Sequence, residues 1–65
     1  MNDYYLHLDQ YLKQIPYLEY FQKIKQLAEY CDVSEAILYN WRTGRTYLKK
    51  SDRDLIESFF QEKIF

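Results

Sequence analysis

Glycine, proline, cysteine, methionine, tryptophan and histidine occur once each in this 65-residue chain. One glycine and one proline leave little material for the tight turns of a β-sandwich, whereas long stretches free of both suit helices. A single cysteine excludes an internal disulfide framework and a thiolate zinc cluster, which need several sulfurs at fixed spacings. Nowhere do about 18 apolar residues run together, and the opening "MNDYYLHLDQ" has no basic segment ahead of an apolar stretch. The chain therefore reads as soluble and cytoplasmic, with no membrane partner. An excess of either charge is also missing. Nine basic and ten acidic residues leave a net charge of −1, a weak start for nucleic-acid binding, where nonspecific affinity comes from Lys and Arg neutralising phosphates.

What the chain has in quantity is aromatic area. Eight tyrosines and four phenylalanines bring a large apolar surface to one domain, residues 1–65, whose length alone buries only about 60% of its surface on folding. Each tyrosine can be half buried while its hydroxyl reaches water or a partner. The charge is also unevenly spread. Arg42, Arg45, Lys49 and Lys50 stand together with no acid between them, whereas residues 1–32 carry Asp3, Asp9, Glu19, Glu29 and Asp32 against Lys13, Lys23 and Lys25.

Apolar periodicity predicts an all-α, four-helix domain. Tyr4, Leu8, Tyr11, Leu12 and Ile15 recur at steps of three and four, which stacks them on one face of a helix near 3–14, with Asn2 a candidate N-cap. Pro16 separates this from a second helix near 17–31, whose apolar face holds Tyr17, Phe21 or Tyr20, Ile24, Leu27, Ala28 and Cys31. That segment also admits two short helices bent near Tyr20. Asp32 tolerates the left-handed backbone that ends a helix, and Ser34 is a strong N-cap for a third, 34–43, which Gly44 stops. "TYLKK" reads as an irregular connection. A fourth helix near 52–64 opens with Ser51 and Asp54 in capping-box spacing. Its Leu55, Ile56, Phe59, Phe60 and Ile64 cover about 180°, wider than the roughly 100° stripe of an ordinary surface helix.

Projected at 100° per residue, the third helix divides sharply. Ile37, Leu38 and Trp41 fall on one side, Glu35, Ala36, Tyr39, Asn40 and Thr43 on the other, and Arg42 on the flank. The apolar side is an anchor. The polar side carries groups that suit base edges: Asn pairs with adenine, Glu accepts from cytosine, and Ala touches a thymine methyl.

"IKQLAEYCDVSEAILYNWRTGRT" resembles the helix-turn-helix of the phage repressor and Cro superfamily, especially small single-domain bacterial and phage regulators. The motif spans about residues 24–46: Ala28 at the close crossing of two helices, Val33 plugging the turn, Leu38 and Trp41 packing inward, "TGRT" closing the second helix. Three positions depart from the family pattern: Asp32 stands where Gly is usual, "YLKK" lacks the frequent proline, and Ile24 replaces a Gln or Thr that contacts phosphate. The resemblance implies a transcription regulator that binds duplex DNA selectively, with the third helix in the major groove. Ser34, Glu35, Ala36, Tyr39 and Asn40 would read bases, while Arg42, Thr43, Arg45, Lys49 and Lys50 would hold phosphate.

Blander readings stand beside these. Asn40 can be a solvated helix residue, Arg45, Lys49 and Lys50 an ordinary loop, and Tyr39 can pack on Arg42 or Arg45. His7 lacks ligand neighbours, so no metal is expected; Cys31 on the apolar stripe acts as a small hydrophobe. One His and one Cys in separate helices, with no Gly-rich phosphate loop, assemble no catalytic site, and neither cofactor nor small-molecule ligand is expected. The competing reading is a protein-interaction module on the same scaffold, antirepressor-like or antitoxin-like, that does not bind DNA. The broad apolar arc of the last helix leads to the expectation of a homodimer through residues 52–65.

Overall fold

The computed structural model describes residues 3–65. It contains four helices, α1 (Tyr4–Lys13), α2 (Tyr17–Cys31), α3 (Glu35–Thr43) and α4 (Lys50–Phe60), with no strand among the described residues. The candidate cap Asn2 lies outside them; Asp3 occupies the capping position of α1 and accepts the first amides through its backbone carbonyl alone.

The core forms where the apolar stripes converge. Leu8 and Leu12 of α1, Ile24, Leu27, Ala28 and Cys31 of α2, Leu38 and Trp41 of α3 and Ile56 of α4 are all buried. Helix α3 packs on α1 and α2, and α4 packs on α2. The α2 segment is one continuous helix. At its start the choice between Phe21 and Tyr20 falls to Tyr20, which is half-buried, whereas Tyr17 and Phe21 are exposed. The connection 44–49 contributes Leu48, 2% exposed, a core residue with no periodic signal to announce it. Half-burial, open to each tyrosine by its chemistry, is not taken up by four of the eight, Tyr17, Tyr30, Tyr39 and Tyr47, which are exposed.

Helix α4 differs from expectation at both ends. It begins at Lys50 with Lys49 at the capping position, and Ser51 lies inside the first turn instead of capping it. Two contacts favour the earlier start: Arg53 donates to the Leu48 carbonyl (2.8 Å), and Lys50 pairs with Asp54 one turn on (3.1 Å). The helix stops at Phe60 because Gln61 turns left-handed (φ 56°), and the chain folds back so that the amides of Ile64 and Phe65 both donate to Glu57 Oε2 at 2.9 Å. These two bonds hold the Glu57 carboxyl below its usual range. The broad apolar arc is consequently covered from within. Ile56 is fully buried, Phe59, Phe60 and Ile64 are half-buried against the core, and Leu55 alone of the five is exposed. Self-association through residues 52–65 would have little apolar surface to use.

Candidate nucleic-acid interface

The corner between α2 and α3 is made by three residues. Asp32 takes the left-handed conformation (φ 58°, ψ 46°), and the Val33 amide reaches back to the Ala28 carbonyl (3.0 Å), closing the end of α2. Ser34 is extended, and its Oγ accepts from the Ile37 amide (3.2 Å), satisfying one of the open donors of α3. Ala28 is small enough for the two helices to approach. Leu38 (1% exposed) and Trp41 (3%) anchor α3 inward, while Val33 is only half-buried at the turn. Gly44 ends α3 with φ 81°; a Cβ there would meet the Tyr5 ring at 3.3 Å, so α1 rests directly on this turn.

Of the residues expected to read bases, Ser34, Glu35, Ala36 and Tyr39 are exposed on one continuous surface, and Asn40 is half-buried beside them. Asn40 also closes the helix: its carbonyl accepts the Arg45 amide (3.0 Å), the Thr46 amide (3.4 Å) and the Thr43 hydroxyl (3.3 Å). Ile37, placed inward by the helical projection, is exposed. It lies about 100° from Leu38, outside the arc that α1 and α2 cover. An apolar side chain on this surface can contact a thymine methyl.

The basic group is less uniform than its spacing suggests. Arg42, expected to hold phosphate, is instead bound internally: Nε donates to Asp9 Oδ1 (3.0 Å), Nη2 lies 2.9 Å from the same oxygen, and Nη1 donates to the Tyr20 hydroxyl. Its side chain is 17% exposed, and all three guanidinium nitrogens are engaged. Asp9 also binds Lys13 at 2.8 Å. That hydrogen bond foremost, with the bond and charge of Arg42, holds its carboxyl below the ordinary value despite partial burial. Lys50 is paired with Asp54, and the Thr43 hydroxyl donates to the Tyr39 and Asn40 carbonyls. Arg45 and Lys49 are exposed and make no ion pair among the described residues; the Arg45 guanidinium lies 5.9 Å from the Tyr39 ring centre.

Three positioning residues escaped the reading of the sequence: Asp9 and Tyr20, which hold Arg42, and Tyr5, which covers Gly44. No periodic or motif signal links them to α3. Cys31 is buried, and desolvation, with the nearby Asp52 charge, pushes its thiol up to about 11, so it stays protonated at neutral pH. Among the described residues no group of three or more His, Cys, Asp or Glu side chains is arranged to hold a metal ion, and no helix is long and apolar enough to cross a membrane.

A second exposed surface begins on α2. Tyr17 (78% exposed), Leu18 (92%) and Phe21 (68%) adjoin one another, and the Phe21 ring stands edge-on to both Tyr17 and Tyr20. From Phe21 a shallow groove runs between α2 and α3 to Glu35 and Tyr39. No protein-family model matches the chain, and no curated protein or solved structure matches it significantly.

Proposed function

We propose that this protein binds duplex DNA selectively, as a prokaryotic or phage transcription regulator, through a helix-turn-helix formed by α2, the Asp32–Ser34 turn and α3. The observation that carries this reading is the division of α3. Leu38 and Trp41 are buried, while Ser34, Glu35, Ala36, Ile37 and Tyr39 present an uninterrupted exposed surface at its amino-terminal end. A helix directed this way enters the major groove amino-terminus first, and the helix dipole favours a phosphate beside Ser34. Ser34, Glu35, Ala36, Tyr39 and Asn40 face base edges, with Ile37 joining them against a thymine methyl. Phosphate contact falls mainly to Arg45 and Lys49, which make no ion pair among the described residues. Lys50 contributes by exchanging Asp54 for phosphate. Thr43 contacts phosphate by turning its hydroxyl proton from the Tyr39 and Asn40 carbonyls to a phosphate oxygen, and Arg42 positions α3 from behind.

The test is a mobility-shift assay with a random duplex library, followed by selection of bound sequences at two salt concentrations. Enrichment of one motif, with affinity falling steeply as salt rises, is the expected result. Equal, weak and salt-insensitive retention of every duplex would reject the reading.

The protein-interaction reading keeps one specific support: the exposed apolar surface of Tyr17, Leu18 and Phe21 on a chain of net charge −1.

A further inference from the structure

Helix α2 presents a ridge, Tyr17, Phe21 and Lys25, spaced four residues apart from its amino-terminal end to just past its middle, with Leu18 beside it. All four are exposed, and Lys25 makes no ion pair among the described residues. From this ridge we infer that the protein self-associates through α2, two copies packing their helices antiparallel about a two-fold axis at Phe21. The inference stands apart from the DNA reading.

The argument for a second copy is that the ridge is complementary to its own reverse. Rotated about an axis at Phe21, Tyr17, Phe21 and Lys25 meet Lys25, Phe21 and Tyr17 of the other copy. Aromatic rings then meet at the centre, and at each end an ammonium lies over a tyrosine ring, a favourable cation–π pair. Leu18 fills the groove beside the opposing Phe21 and the aliphatic stem of Lys25. Like charges stay apart: the two Lys25 residues sit about 12 Å from each other along the axis, beyond the screening length of roughly 8 Å at physiological salt.

Area places the contact in a size class. Tyr17, Leu18 and Phe21 together expose on the order of 400 Å² of side chain, about half of what each partner gives in an interface of standard size. The expected interface lies at the small, transient end of protein–protein contacts.

Sedimentation velocity across about 10 µM to 1 mM measures the association, and two-dimensional amide NMR over the same dilution series locates it. The expected result is a monomer–dimer equilibrium with concentration-dependent shifts clustered at residues 14–25. Phe21→Ser should abolish dimerisation with the helical circular dichroism unchanged, because the side chain is already exposed. Lys25→Ala should weaken it about five- to thirty-fold, since it removes two ring–ammonium pairs. The double exchange Tyr17→Lys with Lys25→Tyr recreates both pairs in swapped positions and should restore association that Tyr17→Lys alone disrupts. A protein that stays monomeric at 1 mM, shifts centred on α3 or α4, or a double exchange that rescues nothing would each overturn the proposal.

Discussion

Trp41 and Phe21 are large aromatic residues at helical spacing, yet Trp41 is buried in the core and Phe21 stands largely in water. The contrast extends to their neighbourhoods. Around Trp41 the side of α3 is closed by Leu38, by α1, and by an arginine whose every nitrogen is bound internally. Around Phe21 the rings of Tyr17 and Tyr20 stand edge-on to it, and a groove leads toward α3. Aromatic content is thus a poor guide to where a small domain holds itself together. What differs is whether a second helix reaches the arc on which the ring sits. The first region keeps α3 in place, and the second is free to meet something else.

The sharpest way to break this comparison is to empty the first region. Trp41→Ala should cost about 3 to 5 kcal/mol, comparable with the total stability of about 3 to 10 kcal/mol for a chain of this length. Chemical denaturation should find the variant largely unfolded, and a loss below 1 kcal/mol would show that Trp41 is no anchor.

Next in size is the lock behind α3. Asp9→Ala strands the Arg42 guanidinium partly buried and should cost about 1 to 3 kcal/mol. Folding lowers the pKa of both Asp9 and Glu57. Their contribution is therefore complete above the unfolded carboxylate value near 4 and is lost as pH falls through the lower folded values. Thermal melts should show stability declining below about pH 4, with Asp9→Asn flattening part of that decline. An acid limb identical in the variant would contradict the assignment.

The outer surface of α3 is probed by binding. If Asn40 reads an adenine, Asn40→Ala should lower affinity for the selected duplex by about 1 to 3 kcal/mol and blur one base pair. Arg45→Ala or Lys49→Ala should instead weaken all sequences alike and reduce the salt slope by about one unit each. Glu35→Gln should raise nonspecific affinity. Uniform effects of Asn40→Ala across unrelated duplexes would remove Asn40 from base reading.

Gly44→Ala places a side chain at φ 81° against the Tyr5 ring and should cost about 1 to 2 kcal/mol. A melting temperature unchanged in this variant would mean that α1 does not press on the turn. The smallest effect belongs to the second region: Phe21→Ala should change monomer stability by no more than about 0.5 kcal/mol, and a core-sized loss there would erase the contrast with Trp41.

Local chemistry was legible along the chain. Ser34 and Gly44 act as the cap and stop that their types suggest, and Asp32 takes the left-handed turn. Leu8, Leu12, Ile24, Leu27, Leu38 and Trp41 are buried as their spacing predicts. At Ile37, at the last helix's apolar arc and at Arg42 the missing information was a neighbour. Ile37 is exposed because neighbouring helices cover a narrower arc than its projection assumed. The last helix is covered because its own tail and α1 turn onto it: Phe65 lies edge-on to Tyr4, and Phe60 packs on Tyr11. The basic run lost Arg42 to an aspartate 33 residues away.

The sequence by itself determined four helices, the caps that bound α3 and the corner at Asp32–Ser34, because each depends on residues within about one turn of each other. Only the tertiary structure decided which arc of each helix meets a neighbour. It tied Arg42 to Asp9 and Tyr20, drew Leu48 into the core from an irregular loop, pinned Ile64 and Phe65 to Glu57, and left Tyr17, Leu18 and Phe21 outside. Periodicity fixes the angle at which a side chain leaves its helix, but burial depends on what stands opposite, and that is set when distant segments pack together.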